Sequence, residues 1–338
     1  KIKGSYNSDY FHNKQRSSSI PYETPVKNAS GGCDLRKSGD DAELGDGESF
    51  DKGSNWYAEG SFKENRKFDD HNIGALFLYN QSRKYYPKQY SDIVSGYVGL
   101  VGRVTYDFRS RYMAEFNVGY NGSENFMKGR RYGFFPAGSV GWIVTEEPFA
   151  KGIKEYINYF KLGASYGVVG NDKQGDTRFM YIPVSYVLGG GYNFGTNTGT
   201  NKPGAYEGKL TNPFVTWEKA YKQNYGVDMY VLDERLNLSL DIFKEHRVDI
   251  LTASSTIPGI IGVSPGDLPN INSGIVDNHG YELNLKWEDK VGADIRYWAN
   301  ANLSYSKNKV IEQNEITPNE AYMWQTGHPV RQPFVRKF

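Results

Sequence analysis

Apolar and polar residues alternate with a period of two along much of this chain. Val98, Leu100, Gly102, Val104, Tyr106 and Phe108 share one face, against Tyr97, Gly99, Arg103, Thr105 and Asp107 on the other. The next segment sets Tyr112, Ala114, Phe116, Val118 and Tyr120 against Glu115, Asn117, Gly119 and Asn121. Leu236, Leu238, Leu240 and Ile242 repeat it, as do Tyr281, Leu283, Leu285 and Trp287, and then Ile295, Tyr297, Ala299, Ala301, Leu303 and Tyr305. Successive side chains of an extended chain point to opposite sides, so the pattern predicts strands with one apolar and one polar face. About eleven such strands fit the template, near residues 2–12, 56–68, 71–83, 97–108, 111–121, 133–145, 159–170, 219–231, 236–248, 277–288 and 294–307.

Strand length chooses among all-β architectures. A soluble antiparallel sandwich or propeller also alternates, but its strands usually run about five or six residues. These run roughly eleven to thirteen, close to what a tilted membrane-crossing strand needs. Aromatic residues near strand ends, including Trp56, Tyr106, Phe108, Tyr112, Tyr120, Trp287 and Tyr305, fit girdles at two membrane interfaces. Tight links at Asp69-Asp70, Arg109-Ser110, Leu232 to Arg235 and Asp289 to Ala293 alternate with long ones. The long ones cover roughly 13–55, 84–96, 122–132, 171–218, 249–276 and 308 onward, with an intermediate link from Glu146 to Asn158. Short turns on the periplasmic side and long loops outside are the habit of outer-membrane barrels. The predicted fold is therefore all-β, a transmembrane antiparallel β-barrel.

Composition narrows the function classes. Tyr (27), Phe (18) and Gly (38) are abundant while apolar residues make up only 38%, which suits strands and turns better than helices. The formal net charge is +1 with scattered Lys and Arg, so no nucleic-acid-binding stripe exists. No run of about 18 apolar residues is present, which excludes a transmembrane helix but not a barrel, whose inward residues are polar. A single cysteine, Cys33, excludes an internal disulfide and reads as an unpaired loop thiol.

Candidate chemistry is sparse. His12, His71, His246, His279 and His328 form no pair at zinc-ligand spacing. The acidic run Asp40, Asp41, Glu43, Asp46, Glu48 and Asp51 lacks the spacing of a calcium loop and reads as solvated charge. Adjacent carboxylates such as Glu146-Glu147 diverge on an extended chain and cannot flank one glycosidic bond. Gly189-Gly190-Gly191 with Gly195 has no strand-to-helix context for a phosphate cradle and reads as extracellular loop. No cofactor is implied, and the chain does not read as an enzyme. One loop offers binding chemistry: Tyr181, Tyr186, Tyr192, Phe194 and Tyr206 lie among Gly, Asn and Thr, where flat rings could stack on sugars or grip an extended peptide. The same rings could instead pack together as a folded loop or touch a partner protein.

Several stretches also resemble a known family. Phe134 to Phe149 (FFPAGSVGWIVTEEPF), Lys161 to Asp172 (KLGASYGVVGND), Asn212 to Thr252, Asn278 to Trp287 (NHGYELNLKW) and Thr326 to Phe334 (TGHPVRQPF) are similar, in this order, to the SusC/RagA-type TonB-dependent outer-membrane transporters of Bacteroidetes. The resemblance implies that residues 1–338 are part of one TonB-dependent receptor β-barrel domain, about half of a barrel with 22 strands in the family. The family's N-terminal domain, TonB box and plug are not visible, and further strands are expected after Phe338. It further implies active import of large nutrients, glycans or oligopeptides, across the cell outer membrane. Implied partners are a SusD-like surface lipoprotein acting as a lid, the TonB-ExbB-ExbD energy-transducing system acting through the N-terminal region, and outer-membrane lipids. A passive porin or adhesion barrel is the alternative, and an extracellular sugar-binding β-protein a more distant one.

Overall fold

The computed structural model describes residues 1–27, 30–39, 43–85, 94–173, 178–183, 186–193, 201–206, 208–254, 256–257, 260, 262–263, 265–292 and 294–334. Its elements are β1 (Ile2–Ser17), β2 (Tyr22–Lys27), β3 (Cys33–Ser38), β4 (Gly45–Phe68), β5 (His71–Tyr85), β6 (Ser95–Phe108), β7 (Tyr112–Ser123), β8 (Tyr132–Ile143), β9 (Ile157–Asn171), β10 (Val187–Asn193), β11 (Asn201–Tyr206), β12 (Glu218–Val231), β13 (Leu236–Thr252), β14 (Ile271–Val291) and β15 (Ile295–Glu312). Eleven of them form one sheet in the order β1-β4-β5-β6-β7-β8-β9-β12-β13-β14-β15, while β2-β3 and β10-β11 are separate hairpins. These eleven are the strands that alternation predicts, and every pairing with a recorded register is antiparallel. No helix among the described residues is long and apolar enough to cross a membrane.

The chain divides into two compact units, residues 1–3, 59–81 and 97–338 in one and residues 4–58 and 82–96 in the other. The second is a ribbon of β1 and β4 with the β2-β3 hairpin. Its partners are mostly charged: Arg16 Nε lies 3.0 Å from Asp46 Oδ1, Lys14 Nζ lies 3.0 Å from Glu48 Oε1, and His12 stacks on Phe50 at 4.5 Å. The expected long loop over 13–55 is accordingly shorter, because β1 runs on to Ser17 and β4 begins at Gly45. Trp56 therefore sits inside a 24-residue strand rather than near its end. Cys33 opens β3 instead of lying in irregular loop, and it is free and exposed.

In the larger unit the register carries single rows of side chains across eight strands. One row is Tyr106, Ala114, Val140, Ala164, Tyr225, Ile242, Tyr281 and Tyr305, each the Cα partner of the next. One residue along each strand lies the row Thr105, Glu115, Ser139, Ser165, Asn224, Phe243, Gly280 and Ser306, on the other face. Phe116, Val140, Tyr166 and Tyr225 on the apolar face are 55%, 62%, 52% and 56% exposed, far more than a soluble sheet leaves uncovered.

The turn between β6 and β7 forms without glycine, whereas Gly292 (φ 66°) opens the turn between β14 and β15. Arg109 (φ 56°) and Ser110 (φ 54°) both take left-handed backbone, and the Arg111 N–H donates to the Phe108 carbonyl at 2.9 Å. That is the two-residue reversal whose twist matches paired strands. The Arg109 N–H donates to the Asp70 carbonyl at 2.9 Å and its guanidinium meets the Asp70 carboxylate at 2.6 Å, tying neighbouring turns together. The long link between β9 and β12 lies at the opposite edge of the sheet and contains the β10-β11 hairpin.

Candidate functional site

The polar face of β6 to β13 lines a concavity of about 650 Å³ whose side chains include Thr105, Asp107, Glu115, Ser139, Lys161 and Asp228. Polar groups of this face satisfy one another across and along strands: Ser239 Oγ donates to Asp228 Oδ1 at 2.7 Å and Asn224 Nδ2 to Asp241 Oδ1 at 2.8 Å between β12 and β13, and Asn117 Nδ2 donates to Glu115 Oε1 at 2.6 Å within β7. Lys161 Nζ stands 3.9 Å from Asp228 Oδ2, and Lys222 Nζ 3.3 Å from Glu245 Oε2. Such a wall stays wetted and offers donors and acceptors to a hydrated solute. It holds no group of three or more His, Cys, Asp or Glu placed to bind a metal, nor does any other described region. The reverse side of the same strands is an apolar groove of about 460 Å³ lined by Val104, Phe116, Val140, Tyr166 and Tyr225. One face therefore suits water and the other hydrocarbon.

At the long-loop edge, Phe126, Phe135, Met180, Val215 and Trp217 bury one another, with Val168 and Leu251 against them. The Trp217 ring lies 5.2 Å from both Phe126 and Phe135, and its Nε1–H donates to the Arg131 carbonyl at 3.1 Å. Asn272 Nδ2 donates to the Thr216 carbonyl at 3.1 Å and to the Asp249 carbonyl at 2.7 Å, while its Oδ1 accepts from the Thr216 N–H at 2.9 Å. Asn212 Nδ2 donates to the Asn270 carbonyl at 2.8 Å and its N–H to the Met180 carbonyl at 2.9 Å. These bonds turn the loop base into a folded platform.

The aromatic residues singled out in this loop separate into two groups. Tyr181 belongs to the platform, its hydroxyl donating to the Glu124 carbonyl at 3.4 Å and its ring edge-on to Phe179 at 6.2 Å. Tyr192 and Tyr206 lie on the β10-β11 hairpin, where Val187 opposes Tyr206 and Tyr192 opposes Lys202. They border a concavity of about 530 Å³ with Gly189, Gly190 and Gly191. Tyr186 immediately precedes β10, and Tyr186, Tyr192 and Tyr206 are 71%, 69% and 54% exposed. Phe194 lies outside the described residues. Gly191 explains part of the glycine run: at φ 70° a Cβ there would overlap the Lys202 backbone, so hairpin closure requires glycine. Sequence reading missed the Phe126–Trp217 cluster, since its members come from three separate links and strands.

At the short-turn edge, Tyr112 and Trp142 are Cα partners and both donate to Glu147 Oε1, Trp142 through Nε1 at 3.1 Å. The Tyr112 hydrogen bond first, then that of Trp142, holds the Glu147 carboxyl below its ordinary pKa, with Arg111 at 3.8 Å adding to it. Glu146 turns away to Lys154 at 2.9 Å, so these neighbouring carboxylates do diverge.

The family described as TonB dependent receptor-like, beta-barrel, matches residues 1–333. This chain belongs to that family. TonB-dependent receptor P39 of Formosa agariphila is 33% identical over 215 residues, which are 63% of this chain and 19% of that protein. TonB-dependent receptor SusC of Bacteroides thetaiotaomicron is 30% identical over 219 residues, 64% of this chain and 21% of SusC. A solved structure of the RagAB peptide transporter superposes over 97% of this chain and 37% of that chain, with a TM-score of 0.68 and 17% identity, a likeness of fold. The chain thus spans a minor part of the length of the relatives it matches. The family places this receptor barrel in the outer membrane, where an exposed apolar face suits hydrocarbon.

Proposed function

We propose that this chain forms part of the wall and extracellular platform of an active importer, which takes up glycans or oligopeptides in a TonB-dependent manner. The carrying observation is the pair of adjacent rows, one lipid-facing through Tyr225, Ile242 and Tyr281, one lumenal through Ser165, Asn224 and Ser306. A barrel too wide for its own side chains to fill needs a plug against leakage. By the SusC/RagA-type resemblance, that plug belongs to the receptor's N-terminal region and is moved by the TonB-ExbB-ExbD system. A SusD-like lipoprotein then closes over the long-loop edge, the folded platform being a suitable seat. Residues 1–338 are on this reading one part of a single 22-stranded barrel domain, which acts as a transporter and not as an enzyme.

Tyr186, Tyr192 and Tyr206, with Phe194 beside them in sequence and Tyr181 bracing the loop base, supply the aromatic faces that stack on cargo. Uptake of labelled oligosaccharides and oligopeptides by cells carrying the full-length receptor tests both claims. Deleting TonB should abolish uptake, and persistent uptake would mean a passive porin. Tyr186→Ala with Tyr192→Ala should lower uptake several-fold at normal receptor abundance. Unchanged uptake would remove these rings from cargo binding while leaving the importer reading intact.

A further inference from the structure

The apolar face of β13, β14 and β15 ends in a girdle at Ile242, Tyr281 and Tyr305, where the two tyrosine rings stack at 5.7 Å. The next outward row is Lys244, His279 and Lys307, each the Cα partner of the next. Beyond it the row His246, Asp277 and Lys309 follows on the same face. Lys244, His279, Lys307 and Lys309 are exposed. The one carboxylate in these two rows, Asp277, is held by His246 at 2.6 Å, and Lys244, Lys307 and Lys309 have no salt-bridge partner among the described residues.

Height places this cluster. Twelve residues of β14 separate His279 from Val291 at the short turn. That is about 40 Å of strand, or about 30 Å of height at a tilt near 40°. An outer-membrane apolar band is about 25 Å tall, so the row stands at the boundary between acyl chains and headgroups on the long-loop side. Neighbouring side chains in a row stand about 5 Å apart and successive rows about 7 Å apart, spacing that lets several ammonium groups converge on one phosphate.

We propose that this face is a docking site for a phosphate-bearing headgroup of an anionic outer-leaflet lipid, with Lys244, Lys307 and Lys309 as its cationic contacts and His279 between them. Charge complementarity and continuity with the lipid-facing wall select that occupant: the acyl chains lie along Tyr281 and Tyr305 while the phosphate meets the ammonium row. An ammonium at a membrane surface attracts anionic lipid strongly enough for three together to matter by at least about tenfold.

The proposal rests on this face meeting lipid, and the test separates the two. Full-length receptor purified in neutral detergent is titrated with a bis-phosphorylated lipid A, with its dephosphorylated form and with inorganic phosphate, and bound lipid is counted by native mass spectrometry. Wild type should retain the phosphorylated lipid. K244Q/K307Q/K309Q should weaken retention at least tenfold, and K244R/K307R/K309R should restore it. Lys151→Gln, on the short-turn side, should leave retention unchanged. Equal retention by the Gln variant, equal binding of the dephosphorylated lipid, or displacement by inorganic phosphate at matched concentration would each overturn the site. Fold is checked by heat-modifiable electrophoretic migration; a Gln variant that misfolds while the Arg variant binds still shows charge dependence through single Lys→Gln steps. A wild-type receptor that never partitions into membranes would instead sink the lipid-facing assignment.

Discussion

Tyr112 and Trp142, directly opposed on β7 and β8, aim their polar edges at one carboxylate, that of Glu147. Both rings belong to the outward row at the short-turn edge, so a turn residue reaches back to satisfy the polar ends of the girdle it borders.

The Glu147 carboxyl is lowered in the folded barrel, so its contribution to stability is fully present above the ordinary glutamate pKa. It is lost as pH falls through the lower folded value. The receptor's thermal transition, followed by heat-modifiable migration, should therefore drop as pH falls below about 4.5. Glu147→Gln should lower the transition at neutral pH and flatten that acid limb. An acid limb of undiminished steepness in the variant would assign it to other groups.

Adjacent residues should respond oppositely to the same charge. Val140 and Ser139 lie on opposite faces of β8, Val140 in the apolar row and Ser139 in the polar one. Val140→Lys should cost about 2–4 kcal/mol in refolding from urea into bilayers, whereas Ser139→Lys should cost little. Equal penalties would contradict the assignment of faces.

Gly280 occupies a position that admits no side chain. A Cβ there would overlap the Tyr305 carbonyl oxygen and crowd the Phe243 ring 2.7 Å away. Gly280→Ala should destabilise the barrel by about 1–3 kcal/mol through overpacking. Gly102→Ala, with open space around it, serves as the comparison and should be near neutral in the same refolding assay.

Truncating Trp217 should loosen the platform without dissolving the wall. Trp217→Ala removes a buried indole at a cost of about 3–5 kcal/mol. Limited proteolysis should then cut within residues 172–217 at least several-fold faster, while membrane insertion persists. Unchanged cleavage would show that the loop base is held by its hydrogen bonds alone.

The sheet was legible because lipid imposes alternation: Leu236 to Ile242 and Tyr281 to Trp287 announce themselves through period two. Strand ends were less legible. Beyond the bilayer both faces meet water, so the outer lengths of β1 and β4 alternate nothing, and Arg16–Asp46 pairing is visible only in three dimensions. The hairpins β2-β3 and β10-β11 escaped for the same reason. Tyr186, Tyr192 and Tyr206 were found through composition, which marks their chemistry but not their partners. Phe126, Phe135 and Trp217 were not, because their proximity depends on contacts across roughly 80 to 90 residues of sequence that no local pattern records.

The ladder between β12 and β13 joins thirteen residue pairs from Lys219↔Val248 to Val231↔Leu236. In hydrocarbon an unzipped strand has no water to bond its amides, so each broken rung costs several kcal/mol. Prising two staves apart would thus require more work than any loop could deliver. If the receptor imports cargo as proposed, that cargo travels along the hollow rather than through the seam between β12 and β13.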